Sequence, residues 1–156
     1  MLENCQNAKE RWGGVNEIID RWLQERQDML VQYCALSGLA RHGNNDELRG
    51  EKLRSLCQIV VDYVSAGHFE IYDQLIKEGR EFDDEEGLYE AGKLFTIVDG
   101  TTEKLLDFND KYLETDDLTS LDKDLSQLGQ VLEIRFTTED RMISVLHTSH
   151  RDLVNN

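Results

Sequence analysis

Two residues of opposite charge interrupt an otherwise apolar helical stripe. Arg135 and Glu139 stand four residues apart among Leu125, Leu128, Leu132, Ile143 and Leu146. At that spacing two side chains on one helix face meet, so a guanidinium can pair with a carboxylate inside a core. Arg26 interrupts a second stripe in the same way, between Trp22 and Tyr33, and is placed to share the carboxylate. The pattern predicts an internal polar cluster of Arg26, Arg135 and Glu139. Buried charges must be paired, which makes the first reading structural: an ion-pair network that fixes helix register. A metal- or small-ligand-binding helical bundle built on the same cluster is the alternative.

Other chemistry finds little support. Helical bundles that hold iron or manganese do so with inward Glu-x-x-His pairs, and the four histidines, His42, His68, His147 and His150, do not form that pattern. His42 falls in an expected loop, and His147 and His150 sit near a terminus expected to fray. No metal and no other cofactor is predicted. A Walker loop, a dinucleotide GxGxxG, a nucleophile elbow and an HExxH are all missing. No serine or cysteine has a local setting that would activate it, so no catalytic residue is assigned and the chain is not read as an enzyme. Cys5, Cys34 and Cys57 are odd in number and lack a CxxC spacing, and are expected to be reduced and structural.

The elements that must position these residues are helices. The chain contains no proline, and its turn signals are glycines and Asn/Asp clusters. A first helix is expected to follow Gly13-Gly14 and end near Gly38, with Val15, Ile18, Ile19, Trp22, Leu23, Met29, Leu30 and Tyr33 on one face. The polar segment Arg41 to Asp46 turns the chain, and Asn45 or Asp46 can cap a second helix with Leu53, Leu56, Cys57, Val60, Tyr63 and Val64 inward. Ser65-Ala66-Gly67 marks a bend, beyond which Phe69, Ile71, Tyr72, Leu75 and Ile76 continue to Gly79 as a kinked second arm; the kink can turn His68 and Phe69 into the core. The acidic run Glu81 to Glu86 opens a third helix with Leu88, Ala91, Phe95, Val98, Thr102, Leu105, Asn109 and Tyr112 as its seam. Thr119 and Asp122 resemble a capping box ahead of the fourth. The fold predicted is one all-α domain over residues 1–156: an antiparallel up-down-up-down four-helix bundle with a short extra N-terminal helix.

Charge narrows the partner class. Seventeen basic and 32 acidic residues give a net charge of −15, which disfavours direct contact with nucleic-acid phosphates and favours a basic partner. No run approaches the roughly 20 apolar residues of a membrane helix, and the start has no signal-peptide pattern, so a cytoplasmic location is expected. With the second helix's stripe turned inward, Asp62 points outward beside Ser55 and Gln58, and Ile59 borders that face. An exposed acid beside an apolar residue suits a protein-binding surface.

The blocks ERWGGVNEIIDRWLQERQ (Glu10 to Gln27), LCQIVVDYVSAGHFEIYDQL (Leu56 to Leu75) and LSQLGQVLEIRFTTEDRMI (Leu125 to Ile143) resemble the Rsd/AlgQ family, the regulators of sigma D. The most specific motif is VDYxSAGHFxIY at Val61 to Tyr72, backed by DRWL at Asp20 to Leu23 and LExRFxxED at Leu132 to Asp140. The N-terminal block is similar to the AlgQ branch, and the resemblance is weakest over Arg80 to Leu118. It implies a helical bundle that binds the primary, sigma-70-type factor of RNA polymerase, chiefly through the C-terminal domain that recognises the promoter −35 element. Rsd-like members act as anti-sigma factors in stationary phase; AlgQ-like members are associated with positive regulation of alginate genes. The resemblance and the outward position together make Asp62 the expected partner contact, with Ser65, His68, Phe69 and Ile59 around it. A monomer forming a 1:1 complex is expected, because a bundle can close its own core.

Overall fold

A computed structural model describes residues 2–42 and 46–155, with side chains over 10–38 and 46–154. The expectations for Cys5, Asn45 and the side chain of His42 lie outside the described residues. Among those described there is no strand: α1 (Leu2–His42), α2 (Asp46–Ala66), a π-helical segment (Gly67–Ile71), α3 (Tyr72–Glu81), α4 (Glu85–Glu114) and α5 (Leu121–Leu146) precede a 3-10 turn (Thr148–His150) and α6 (Arg151–Asn155). The stripes read from the sequence make the core. Ile19, Trp22, Met29, Leu53, Leu56, Val60, Tyr63, Ala91, Val98, Leu105, Leu125, Leu128, Leu132 and Leu146 are all buried. The four arms of the bundle are α1, the α2–π–α3 arm, α4 and α5; α4 packs along α5, α1 along α2, and α3 against α1, α4 and α5.

Five local expectations are corrected, the last of them at the bend after Ala66. No separate N-terminal helix exists, because α1 runs unbroken through Gly13 and Gly14, and it continues past Gly38 to His42, the expected loop residue. Two interior glycines cost about 1 kcal/mol each. The first turns of that segment are nevertheless anchored from outside: Trp12 stacks on His147 with ring centroids 4.4 Å apart, and its Nε1 donates to the His147 carbonyl at 3.0 Å. His147, covered by Trp12, and His150, stacked on Phe82, are both buried, although the sequence placed them near a fraying end. Nor does Thr119 cap α5. Its backbone N–H donates to Asp117 Oδ1 at 3.0 Å and its hydroxyl donates to the same oxygen, a local Asx arrangement that competes with capping; Ser120 occupies the N-cap position without a side-chain cap bond.

The entry to α4 is built as the acidic run suggested. Asp83 takes a positive φ of 52° to reverse the chain, and Asp84 Oδ1 accepts from the Gly87 N–H at 2.8 Å as N-cap.

The bend after Ala66 is a change of helix type rather than a break. The Tyr72 N–H donates to the Gly67 carbonyl, a five-residue step. One extra residue in the turn shifts the stripe around the axis, so Ile71 and Tyr72 are buried while Phe69 remains 77% exposed. His68 is exposed as well. The kink therefore turns His68 and Phe69 outward, not into the core.

Candidate functional site

The three residues expected to cluster do meet, and five more join them. Glu139 Oε1 accepts from the Tyr63 hydroxyl at 2.6 Å and faces Arg26 Nη2 at 3.4 Å. Glu139 Oε2 accepts from the Tyr72 hydroxyl and from Arg135 Nε at 3.2 Å. Arg135 is fully buried; its other nitrogens donate to Thr101 Oγ1 at 3.0 Å, Thr102 Oγ1 at 2.8 Å and the Tyr72 oxygen at 3.0 Å. Arg26 lies at the edge of the core, where Nε donates to the Tyr63 oxygen at 3.0 Å and Nη1 reaches the exposed Asp140 at 2.6 Å. Its guanidinium sits 4.6 Å from the Phe136 ring centroid.

Burial pushes the Glu139 carboxyl above its ordinary range, opposed by Arg135, the two tyrosine hydroxyls and Arg26. Burial and the Glu139 charge likewise push both tyrosines up, so they stay neutral donors. For Arg26 burial opposes the charge, but Tyr63, Asp140 and Glu139 outweigh it and hold the guanidinium protonated. With both Glu139 oxygens and every Arg135 nitrogen engaged internally, the cluster has the bonding of a scaffold.

Tyr63, Tyr72, Thr101, Thr102 and Asp140 were not among the residues singled out for it. A signal existed for the tyrosines: a phenol in a buried stripe needs a hydrogen-bond partner.

A second polar cluster escaped the sequence reading altogether. Buried Glu78 faces His147 Nδ1 at 2.9 Å and His150 Nδ1 at 3.8 Å. His147 Nε2 lies 3.2 Å from Asn16 Oδ1 and His150 Nε2 lies 2.8 Å from Asp84 Oδ2, while Phe82 stacks on His150. Its signal was Glu78, an acid three residues after Leu75 on the inward face of α3. Among the described residues no group of three or more His, Cys, Asp or Glu side chains is arranged to hold a metal ion, and no helix is long and apolar enough to cross a membrane.

The outer face of the α2–π arm carries the expected contact residues. Asp62 is exposed and accepts from Gln58 Nε2 at 3.0 Å; Ile59 and Ser65 are half-buried on the same arm. The His68 ring meets Phe69 edge-on, 4.8 Å between centroids. Glu25 of α1 lies next to this face: burial and then the Asp62 and Glu70 carboxylates hold its pKa above the usual range, with Arg21 opposing. Glu25, itself exposed, thus senses carboxylates of both α2 and the π segment, with the Arg21 cation among them.

An internally bonded Arg135–Glu139 cluster and an exposed Phe69 beside Asp62 on the α2–π arm are thus set in an all-helical bundle, the class of protein the fold defines. Residues 1–147 match the family described as "Regulator of RNA polymerase sigma(70) subunit, Rsd/AlgQ". The chain is 35% identical over 158 aligned residues to the "Regulator of sigma D" of Salmonella arizonae, and equally so to that of Salmonella paratyphi B, covering 97% of this chain and 95% of each relative. The chain belongs to the Rsd/AlgQ family of sigma(70) regulators.

Proposed function

We propose that the chain binds the primary, sigma-70-type factor, mainly at its C-terminal −35-recognition domain, through the face formed by Ile59, Asp62, Ser65, His68 and Phe69. It does so in the cytoplasm as a monomer in a 1:1 complex, without chemistry. Sequestration lowers the free primary factor and so shifts promoter choice towards other sigma factors by mass action. The observation that carries the reading is Phe69, a large ring 77% exposed on the arm that also exposes Asp62 and Glu70. Aromatic side chains dominate interface energetics when a partner desolvates them, and an acidic rim steers a basic DNA-binding domain towards the ring. Family membership names the partner class; the face supplies a place for it.

Calorimetry with the purified sigma C-terminal domain tests the reading. Phe69→Ala is expected to weaken binding by about 2 kcal/mol or more, as interface anchors do. Asp62→Ala is expected to weaken it by about 1–2 kcal/mol, roughly five- to thirtyfold, with an unchanged melting temperature because the carboxylate is exposed. Wild-type affinity in both variants would remove the site assignment, and a failure of the unaltered chain to bind would remove the function.

A further inference from the structure

A groove of about 310 Å³ runs between α2 and α4, lined by Leu53, Arg54, Cys57, Val61, Asn109 and Leu113 among others. It combines three kinds of chemistry. Its apolar wall reaches solvent, since Leu113 is 78% exposed, as prominent as Phe69, and Val61 is 38% exposed. Its floor holds an unused acceptor: Asn109 Nδ2 donates to the Cys57 carbonyl at 3.0 Å, which fixes the amide, while buried Oδ1 has no hydrogen bond. Its rim holds a cation, because Arg54 is exposed and makes no ion pair with any described residue. A desolvated acceptor and an unpaired guanidinium beside exposed aliphatic carbon are complementary to a side chain with an N–H or O–H donor and a carboxylate nearby.

The groove is continuous with the face around Asp62. Gln58 lines it and donates to Asp62 at 3.0 Å, and Val61 precedes Asp62 in the chain. Arg54 and Asp62 are eight residues apart, two helical turns or about 12 Å along α2. The charge order along this strip is positive, apolar, negative. A net charge of −15 opposes a second copy of the chain as occupant.

Resting on the function proposed above, we propose that the α2/α4 groove is the second half of the sigma-docking surface. It takes, from one partner helix, an aliphatic side chain against Leu113 and Val61 and an N–H or O–H donor on Asn109 Oδ1, and that helix sets a basic residue against Asp62 and an acidic one against Arg54. The two opposite charges fix the direction in which that helix lies.

The test is calorimetry of the full chain against the purified sigma C-terminal domain, with Leu113→Glu, Arg54→Glu, Asp62→Ala and a control, Ile134→Glu, at an exposed position of α5. Leu113→Glu is expected to weaken binding about tenfold or more and Arg54→Glu roughly threefold. Ile134→Glu should bind as the unaltered chain does, and all four should keep its melting temperature, since the changed side chains are exposed. Leu113→Glu and Arg54→Glu binding normally while Asp62→Ala binds weakly would overturn the groove assignment alone. No binding by the unaltered chain would overturn the function and the groove with it. Light scattering on the same samples closes the remaining case: a dimer of the unaltered chain that Leu113→Glu dissociates would make a second copy the occupant, and would also overturn the assignment.

Discussion

Glu139→Leu is expected to be far more destabilising than its modest change in volume suggests. The carboxylate accepts from Tyr63, Tyr72 and Arg135 and faces Arg26 at 3.4 Å. Leucine supplies apolar volume but leaves the Arg135 guanidinium, with 0% exposure, charged in the core without a counter-charge. Arg26 escapes this penalty in part, because Asp140 holds it at the surface. Removing one partner of a buried ion pair costs about 3–5 kcal/mol, a large share of the roughly 5–15 kcal/mol that stabilises a typical domain. At about 2–4 °C per kcal/mol for a chain of this size, the melting temperature should fall by roughly 6–20 °C. Arg135→Met combined with Glu139→Leu removes both charges and replaces them with apolar groups, a change that is often neutral. The unmatched Tyr63 and Tyr72 hydroxyls then carry the residual cost, about 1 kcal/mol each. Urea and thermal denaturation of the four members of this cycle, followed by far-UV circular dichroism, measures the coupling directly. A loss below about 1 kcal/mol in Glu139→Leu, or a double variant as unstable as the sum of the singles, would refute the reasoning.

Gly129→Ala should destabilise by about 1–3 kcal/mol, because its Cβ would overlap the Tyr33 hydroxyl, which donates to the Leu125 carbonyl at 2.7 Å; Gly100→Ala, with nothing near its Cβ, should stabilise α4 by about 0.5–1 kcal/mol, and equal thermal shifts in the two would contradict this. Asp84 is held below the usual carboxyl range by the Gly87 N–H and His150, with burial opposing. A depressed folded value adds stability above the unfolded value of about 4 that is lost as pH falls through the folded one. Asp84→Asn keeps a capping side chain but should flatten the acid-side fall of melting temperature below about pH 4, and an unchanged slope would count against the assignment. Burial pushes the Cys57 thiol up to about 11, so iodoacetamide at neutral pH should modify exposed Cys34 well before Cys57; peptide mass spectrometry showing equal rates would overturn that order.

Periodicity carried most of the fold into view. The stripes through Val15–Tyr33, Leu53–Val64, Leu88–Tyr112 and Leu121–Leu146 are the buried faces of the bundle, because a three-and-four spacing of apolar residues has few other uses. The charged interruptions Arg26, Arg135 and Glu139 were equally legible, since a charge in a stripe demands a partner. What stayed hidden depends on contacts distant in sequence. Nothing local to Gly13-Gly14 reveals that Trp12 will stack on His147, 135 residues away, and without that anchor a helix break is the better reading. Phe69, expected as a partner contact yet open to burial by the kink, stayed undecided for a different reason. Its spacing of three from Tyr72 and seven from Ile76 suits the inward stripe of a regular α-helix, whereas the π segment adds a residue to the turn, and its only local trace is a glycine at the bend.

That added residue ties the interior to the exposed face. Tyr63 and Tyr72 lie on either side of the π segment, and both donate to the same carboxylate, Glu139. Trp22 Nε1 donates to the Tyr63 carbonyl at 3.2 Å, and a Cβ on Gly67 would stand 3.1 Å from the Trp22 ring and 3.2 Å from the Tyr72 oxygen. A π turn is rare and weak as an isolated element, so its persistence here depends on these anchors to α1 and α5. The consequence is a Phe69 ring carried by backbone that is already ordered before any partner arrives. Ordering side chains and loops is one of the main costs of association, and an exposed ring on a pinned turn avoids much of it. On this account the buried polar cluster serves the surface as well as the core: it holds the π turn that carries the exposed Phe69 ring.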